Sequence, residues 1–113
     1  MHLLLYEELM LFSTTPDLPG KEISECLGVV TGNVVQSKNV GRDIMAGLKG
    51  LVGGEIKGYT EMLSEARDKA IIRMVEQAEE KGADAIVNIR FTTSAIMANA
   101  SEILAYGTAV KIK

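Results

Sequence analysis

Five polar residues in the middle of the chain are the strongest candidates for binding chemistry. They are Arg42, Asp43, Glu55, Tyr59 and Arg67. They flank a double glycine, and the planar fork of an arginine suits a carboxylate or a phosphate. One interpretation is a ligand-binding pocket at a kink or a subunit junction, with Arg67 holding an anion. The alternative, a network of ion pairs between subunits, is the one that we favour.

Side chains suited to metal binding or nucleophilic catalysis are scarce. The chain has one cysteine, Cys26, and one histidine, His2. A transition-metal site needs several soft or imidazole ligands that converge. We therefore predict no metal site within one subunit, no cofactor, and Cys26 as a small buried apolar residue. No catalytic residues are predicted, because a nucleophile needs a base in reach. An enzyme with a subunit-junction site built from Glu55, Tyr59 and Arg67 is the alternative.

Composition excludes several classes of protein. The 113 residues fit one domain, and 12 basic against 15 acidic residues give a net charge of −3. No basic stripe is present, so we predict no nucleic-acid partner. No apolar run approaches the roughly 20 residues that cross a bilayer, so we predict no membrane partner. A lone cysteine is typical of a reducing compartment, which favours a cytoplasmic location.

Periodicity predicts the elements that must position these side chains. An apolar stripe at helical spacing runs through residues 59–81. Strands are predicted at 11–14, 25–36, 85–94 and 102–112, and a short helix at 41–52. Within 85–94, alternation predicts Val87, Ile89 and Phe91 on one face. This order favours an α+β fold of two layers, a mainly antiparallel sheet packed on a long helix.

Apolar residues on both faces of the sheet predict a homo-oligomer. In strand 25–36, Leu27, Val29 and Val35 are predicted to lie opposite Val30 and Val34. Strand 102–112 shows a similar arrangement. One helix covers one face only, and each large side chain left in water forfeits about 1.5–3 kcal/mol. The simplest cover is another copy of the chain. The alternative is a monomer in which the N-terminal segment or the short helix covers that face.

A set of short motifs follows in order along the chain: Phe12-Ser13-Thr14-Thr15, GVVTG at 28–32, Arg42-Asp43, Gly53-Gly54-Glu55, Tyr59, Ala66-Arg67, GADA at 82–85 and YGTAV at 106–110. This ordered set resembles the YbjQ-like family of uncharacterised proteins, which is labelled heavy-metal-binding. The resemblance implies a dodecin-like subunit over residues 10–113, preceded by an N-terminal extension at 1–9, and assembly into a homopentameric ring. It implies no activity. We predict a non-enzymatic ligand-binding or scaffold protein whose partners are its own copies and a small ligand or ion. The label adds a metal-handling protein as an alternative.

Overall fold

A computed structural model describes residues 10–37, 57–97 and 100–113 of the chain. Four strands and one helix make up these ranges: β1 (Leu11–Phe12), β2 (Ile23–Ser37), α1 (Lys57–Glu80), β3 (Ala85–Met97) and β4 (Ala100–Ile112). The predicted α+β class is confirmed, with one helix on a four-stranded mixed sheet. Strands β2, β3 and β4 are each longer than predicted. The predicted short helix at 41–52 and the extension at 1–9 lie outside the described residues.

The strand order of the sheet is β1-β3-β4-β2. β4 is antiparallel to both β2 and β3, whereas β1 pairs with β3 in parallel. The short β1 pairs through Leu11 and Phe12, and backbone hydrogen bonds from residues 13–15 extend this contact to Ile89. β2 therefore forms one edge of the sheet along its whole length. Among the described residues, nothing pairs with the other edge beyond Ile89.

One face of the sheet packs against α1 and forms the main core. The helix contributes the buried residues Ala66, Ala70, Met74, Val75 and Ala78. The sheet contributes Val30, Val34, Ile86, Ile89, Ile103, Ala105 and Ala109. The predicted helical stripe is confirmed in its C-terminal part. Leu63, also predicted in the stripe, is 38% exposed.

The helix ends at a glycine in the left-handed conformation, as the sequence predicts. Gly82 has a φ of 74°, and its N–H donates to the carbonyl of Glu79. The N–H of Ala83 donates to the carbonyl of Ala78 at 3.0 Å. Glycine adopts positive φ without a Cβ penalty, so this position closes the helix at little cost.

Two bulges reverse the faces that simple alternation predicts. In β2 the register shifts between Cys26 and Gly28, where Gly28 has a φ of 102°. Leu27 consequently packs against the helix-side core, and its predicted place beside Val29 is wrong. In β3 the register shifts between Val87 and Arg90, and Asn88 has a φ of 55°. An extra residue in one strand changes which face its neighbours occupy.

The second bulge separates Val87 from Ile89, so the prediction that they share a face is wrong. Ile89 belongs to the helix-side core, whereas Val87 joins a second cluster with Leu18, Ala85 and Val110. Val110 alternates with Ala109, so this cluster lies on the face away from α1. The segment between β1 and β2 thus covers one end of that face through Leu18.

Candidate functional site: the helix–strand groove and the open sheet face

The closest approach of α1 to the sheet occurs at Gly32. A Cβ built on Gly32 would lie 2.5 Å from the backbone nitrogen of Met74 and closer still to the carbonyl oxygen of Ala70. Glycine inside a strand usually marks a bulge, a bend or a close backbone approach. The close approach occurs at Gly32, and a bulge occurs beside Gly28.

Two side chains of α1 occupy the outer edge of β2. The N–H of Thr31 donates to Oε1 of Gln77 at 2.8 Å, and Nη1 of Arg73 donates to the carbonyl of Asn33. Arg73 and Gln77 are four residues apart, so they lie on the same side of the helix. Unpaired backbone groups on an edge strand invite pairing with other chains. This edge of the sheet is therefore capped by the protein's own helix near Gly32.

A groove of about 360 Å³ opens next to this crossing, between the N-terminal half of α1 and the end of β2. It is lined by Val34, Val35, Gln36, Met62, Glu65, Ala66 and Lys69. Small-molecule sites usually occupy roughly 300–1,000 Å³, with apolar walls and a few polar groups. The groove is more polar than most such sites, because Gln36, Glu65 and Lys69 add an amide, a carboxylate and an ammonium group to the four apolar residues of its lining.

On the face of the sheet away from α1, the described residues include exposed apolar side chains beyond the Leu18 cluster. Val29 is 67% exposed and Val35 is 58% exposed. Tyr106, in the neighbouring strand β4, is 37% exposed. The sequence predicted that Val29 and Val35 lie opposite Val30 and Val34, and the exposure of the first pair and the burial of the second confirm it. Val110, on the same face, is buried in the Leu18 cluster.

The structure describes two of the five predicted ligand-binding residues, Tyr59 and Arg67. Arg67 is exposed on α1, and Tyr59 lies in the first turn of the same helix. Arg42, Asp43 and Glu55 lie outside the described residues, so the predicted convergence stays a prediction. The groove lies on the same half of α1 as Arg67, but Arg67 is not among its lining residues.

Cys26 is exposed, and the prediction that it is a buried apolar residue is wrong. It pairs with Val110 across the sheet, next to the bulge at Gly28. Within the described ranges, no three or more His, Cys, Asp and Glu side chains group so that they could hold a metal ion. Among the described residues, no helix has both the length and the apolar character needed to cross a membrane.

Comparison with known proteins decides the family. The family model described as "YbjQ_1: Putative heavy-metal-binding" matches residues 10–113. The chain belongs to this YbjQ family. A UPF0145 protein of Psychromonas ingrahamii is 72% identical over 92% of this chain and 99% of its own length. A UPF0145 protein of Thermosipho africanus is 61% identical over 92% of this chain and 96% of its own length.

A crystal structure shows the same fold at much lower identity. It is a DUF74-family protein of unknown function from Pediococcus pentosaceus, 17% identical, with a TM-score of 0.62. The match covers 92% of this chain and 98% of the other. At this identity the likeness shows the fold alone. The YbjQ family is uncharacterised, and the groove and the exposed sheet face are the features of this chain that bear on its function.

The groove was missed at the sequence level, although part of its signal was present. Met62 and Ala66 were predicted in the apolar stripe, and Val34 and Val35 in the strand that faces it. Their convergence depends on where α1 crosses β2, which Gly32 permits. Two glycines four residues apart in a strand indicated a crossing, but not the cavity beside it.

Proposed function

We propose that this chain is the subunit of a non-enzymatic homo-oligomer that binds a small ligand, with a pentameric ring as the assembly implied by the family resemblance. The observation that carries the proposal is the exposure of Val29 and Val35 on the sheet face that α1 leaves open. Apolar side chains in water are unfavourable by about 1.5–3 kcal/mol each when they are large. A second copy of the chain would remove them from water.

Further apolar side chains are exposed towards the end of β3. In the far half of β3, Phe91, Ile96 and Met97 are 42%, 49% and 62% exposed. The radius of gyration is 16.6 Å, whereas a compact chain of this length has about 13 Å. An elongated subunit with exposed apolar side chains resembles a part of a larger assembly, since monomers avoid large apolar patches.

Sedimentation equilibrium on the untagged protein tests the assembly. We expect a species several times the 12.2 kDa subunit mass at micromolar concentration. Val29→Asp should shift the distribution towards the subunit, because a carboxylate would have to leave water at the interface. The substitution should leave the fold intact, as Val29 is mostly exposed in the subunit.

Ser64→Asp is the matched control, because it adds the same charge on the exposed surface of α1. It should leave the sedimentation profile unchanged. A wild-type protein that sediments as a single 12.2 kDa species would contradict the proposal.

The groove between α1 and β2 is the proposed ligand site. Its four apolar residues, with one amide, one carboxylate and one ammonium group, fit a small amphipathic molecule better than a metal ion or a polyanion. A thermal-shift screen of such molecules tests this, with Glu65→Trp, at an exposed position that lines the groove, as the variant that fills it. A ligand that stabilises wild type and Glu65→Trp equally would be bound elsewhere.

A further inference from the structure

The two edges of the sheet are protected in different ways. On the β2 edge, Gln77 and Arg73 occupy the outward backbone groups of Thr31 and Asn33. On the β3 edge, the pairing with residues 11–15 ends at Ile89, and no described residue pairs with the edge from Phe91 onward. An edge that is left unpaired normally carries charges, proline or a very short strand.

The open part of the β3 edge has none of these features. Residues 91–97 read FTTSAIM, without a charged residue or a proline, in a chain that is 24% charged. The pairing with β4 is regular from Arg90 to Ala95, and a register shift follows before Met97. Phe91–Ala95 is therefore a flat, uncharged segment, close to the usual strand length of about 5–6 residues. Such a segment is suited to accept another strand.

The chain itself contains a matching strand on the opposite edge. β2 is uncharged from Cys26 to Ser37, and it runs parallel to β3, because both are antiparallel to β4. Ala95 pairs with Ser101, and Ser101 pairs with Gln36, so the two edges lie at the same level of the sheet. Beyond Asn33, neither Arg73 nor Gln77 occupies the β2 edge, and a strand added there would lie beside the groove that Glu65 and Lys69 line. Copies placed head to tail would thus continue one sheet from subunit to subunit.

We infer that the β3 edge at Phe91–Ala95 pairs with the end of β2, beyond Asn33, of a second copy of this chain. The inference rests on the proposed homo-oligomer and specifies its interface. Such a contact joins two different surfaces, so it is heterologous and closes into a ring when the rotation between copies allows. Backbone hydrogen bonds set the register of the assembly, and the exposed side chains on either face add apolar contact.

Amide hydrogen exchange measured by mass spectrometry tests the inference on the full chain. In the assembled wild type, peptides covering Phe91–Ala95 and Val34–Gln36 should exchange at least about 100-fold more slowly than in the dissociated subunit. Dilution provides that subunit. Protection of both segments should be lost together on dissociation.

Three results would overturn the inference. Fast exchange of Phe91–Ala95 in an intact oligomer would leave the proposed function standing and remove this interface. Equal protection in the isolated subunit would show that the chain covers its own edge. Protection of Phe91–Ala95 from exchange without protection of Val34–Gln36 would exclude the head-to-tail arrangement. A wild type that never assembles would instead contradict the proposed function itself.

A pair of proline variants provides an independent test. Successive strand residues direct their N–H groups to opposite edges, so one of Thr92→Pro and Thr93→Pro removes an outward donor and the other disturbs pairing with β4. The outward variant should keep the circular dichroism of the folded subunit but sediment as the subunit. A folded variant of this pair that remains fully assembled would count against strand pairing. If neither variant folds, hydrogen exchange on the wild type decides.

Discussion

Adding a single methyl group at Gly32 should loosen the contact between the helix and the sheet. In Gly32→Ala the new Cβ would lie 2.5 Å from the nitrogen of Met74 and closer to the carbonyl of Ala70. Both are backbone atoms, so no side-chain rotation relieves the clash, and α1 has to move away from β2. Overpacking in a core typically costs about 1–3 kcal/mol. We expect the upper end, about 3 kcal/mol, because the whole helix is displaced.

Thermal unfolding followed by circular dichroism measures this loss. For a domain of this size, about 3 kcal/mol corresponds to a decrease in Tm of roughly 10–20 °C. Both proteins should be compared at one concentration, because assembly also stabilises the folded state. The displacement should also open the groove and uncap Thr31 and Asn33, since Gln77 and Arg73 move with the helix.

Gly20→Ala is the matched control for this substitution. Gly20 has a φ of 78°, but a Cβ there would meet nothing within 4 Å. Its expected cost is about 1–2 kcal/mol, from the left-handed backbone alone. A Gly32→Ala protein that unfolds no earlier than Gly20→Ala would refute the close crossing of α1 and β2.

Three further predictions concern the core, the helix end and the capped edge. Met74→Ala should lower the free energy of unfolding by about 2–5 kcal/mol in urea titrations, because Met74 is fully buried in the main core; a loss below about 1 kcal/mol would contradict that burial. Gly82→Ala should cost about 1–2 kcal/mol in the same assay through its positive φ, whereas Lys81→Ala should be nearly neutral. The double variant Arg73→Ala with Gln77→Ala should expose the β2 edge and increase light scattering on heating, and Arg67→Ala, on the exposed surface of the same helix, should not.

Several features could be predicted from local patterns because their cause is local. The helix, its stop at Gly82 and the β-rich segments follow from apolar periodicity and from the conformational freedom of glycine. The same is true of the exposed Val29 and Val35, whose alternation with Val30 and Val34 places them away from the helix. The family could also be predicted, because short motifs recur in order along nearly the whole chain.

Other features were decided by tertiary contacts. A simple alternating pattern does not account for an inserted residue. The bulges at Gly28 and Asn88 therefore placed Leu27 and Ile89 on the helix side, so that Leu27 is separated from Val29 and Ile89 from Val87, against the prediction. The exposure of Cys26 likewise depends on the bulge beside it.

The capped edge and the groove are properties of pairs of elements that are distant in the sequence. The sequence by itself determined which segments become helix and strand, because backbone preference and apolar spacing act over a few residues. Only the tertiary structure decided that α1 crosses β2 at Gly32, that Arg73 and Gln77 reach one edge, and that the other edge from Phe91 onward has no partner among the described residues. The physical reason is that side-chain packing and strand register are settled between elements, where a shift of one residue changes every contact.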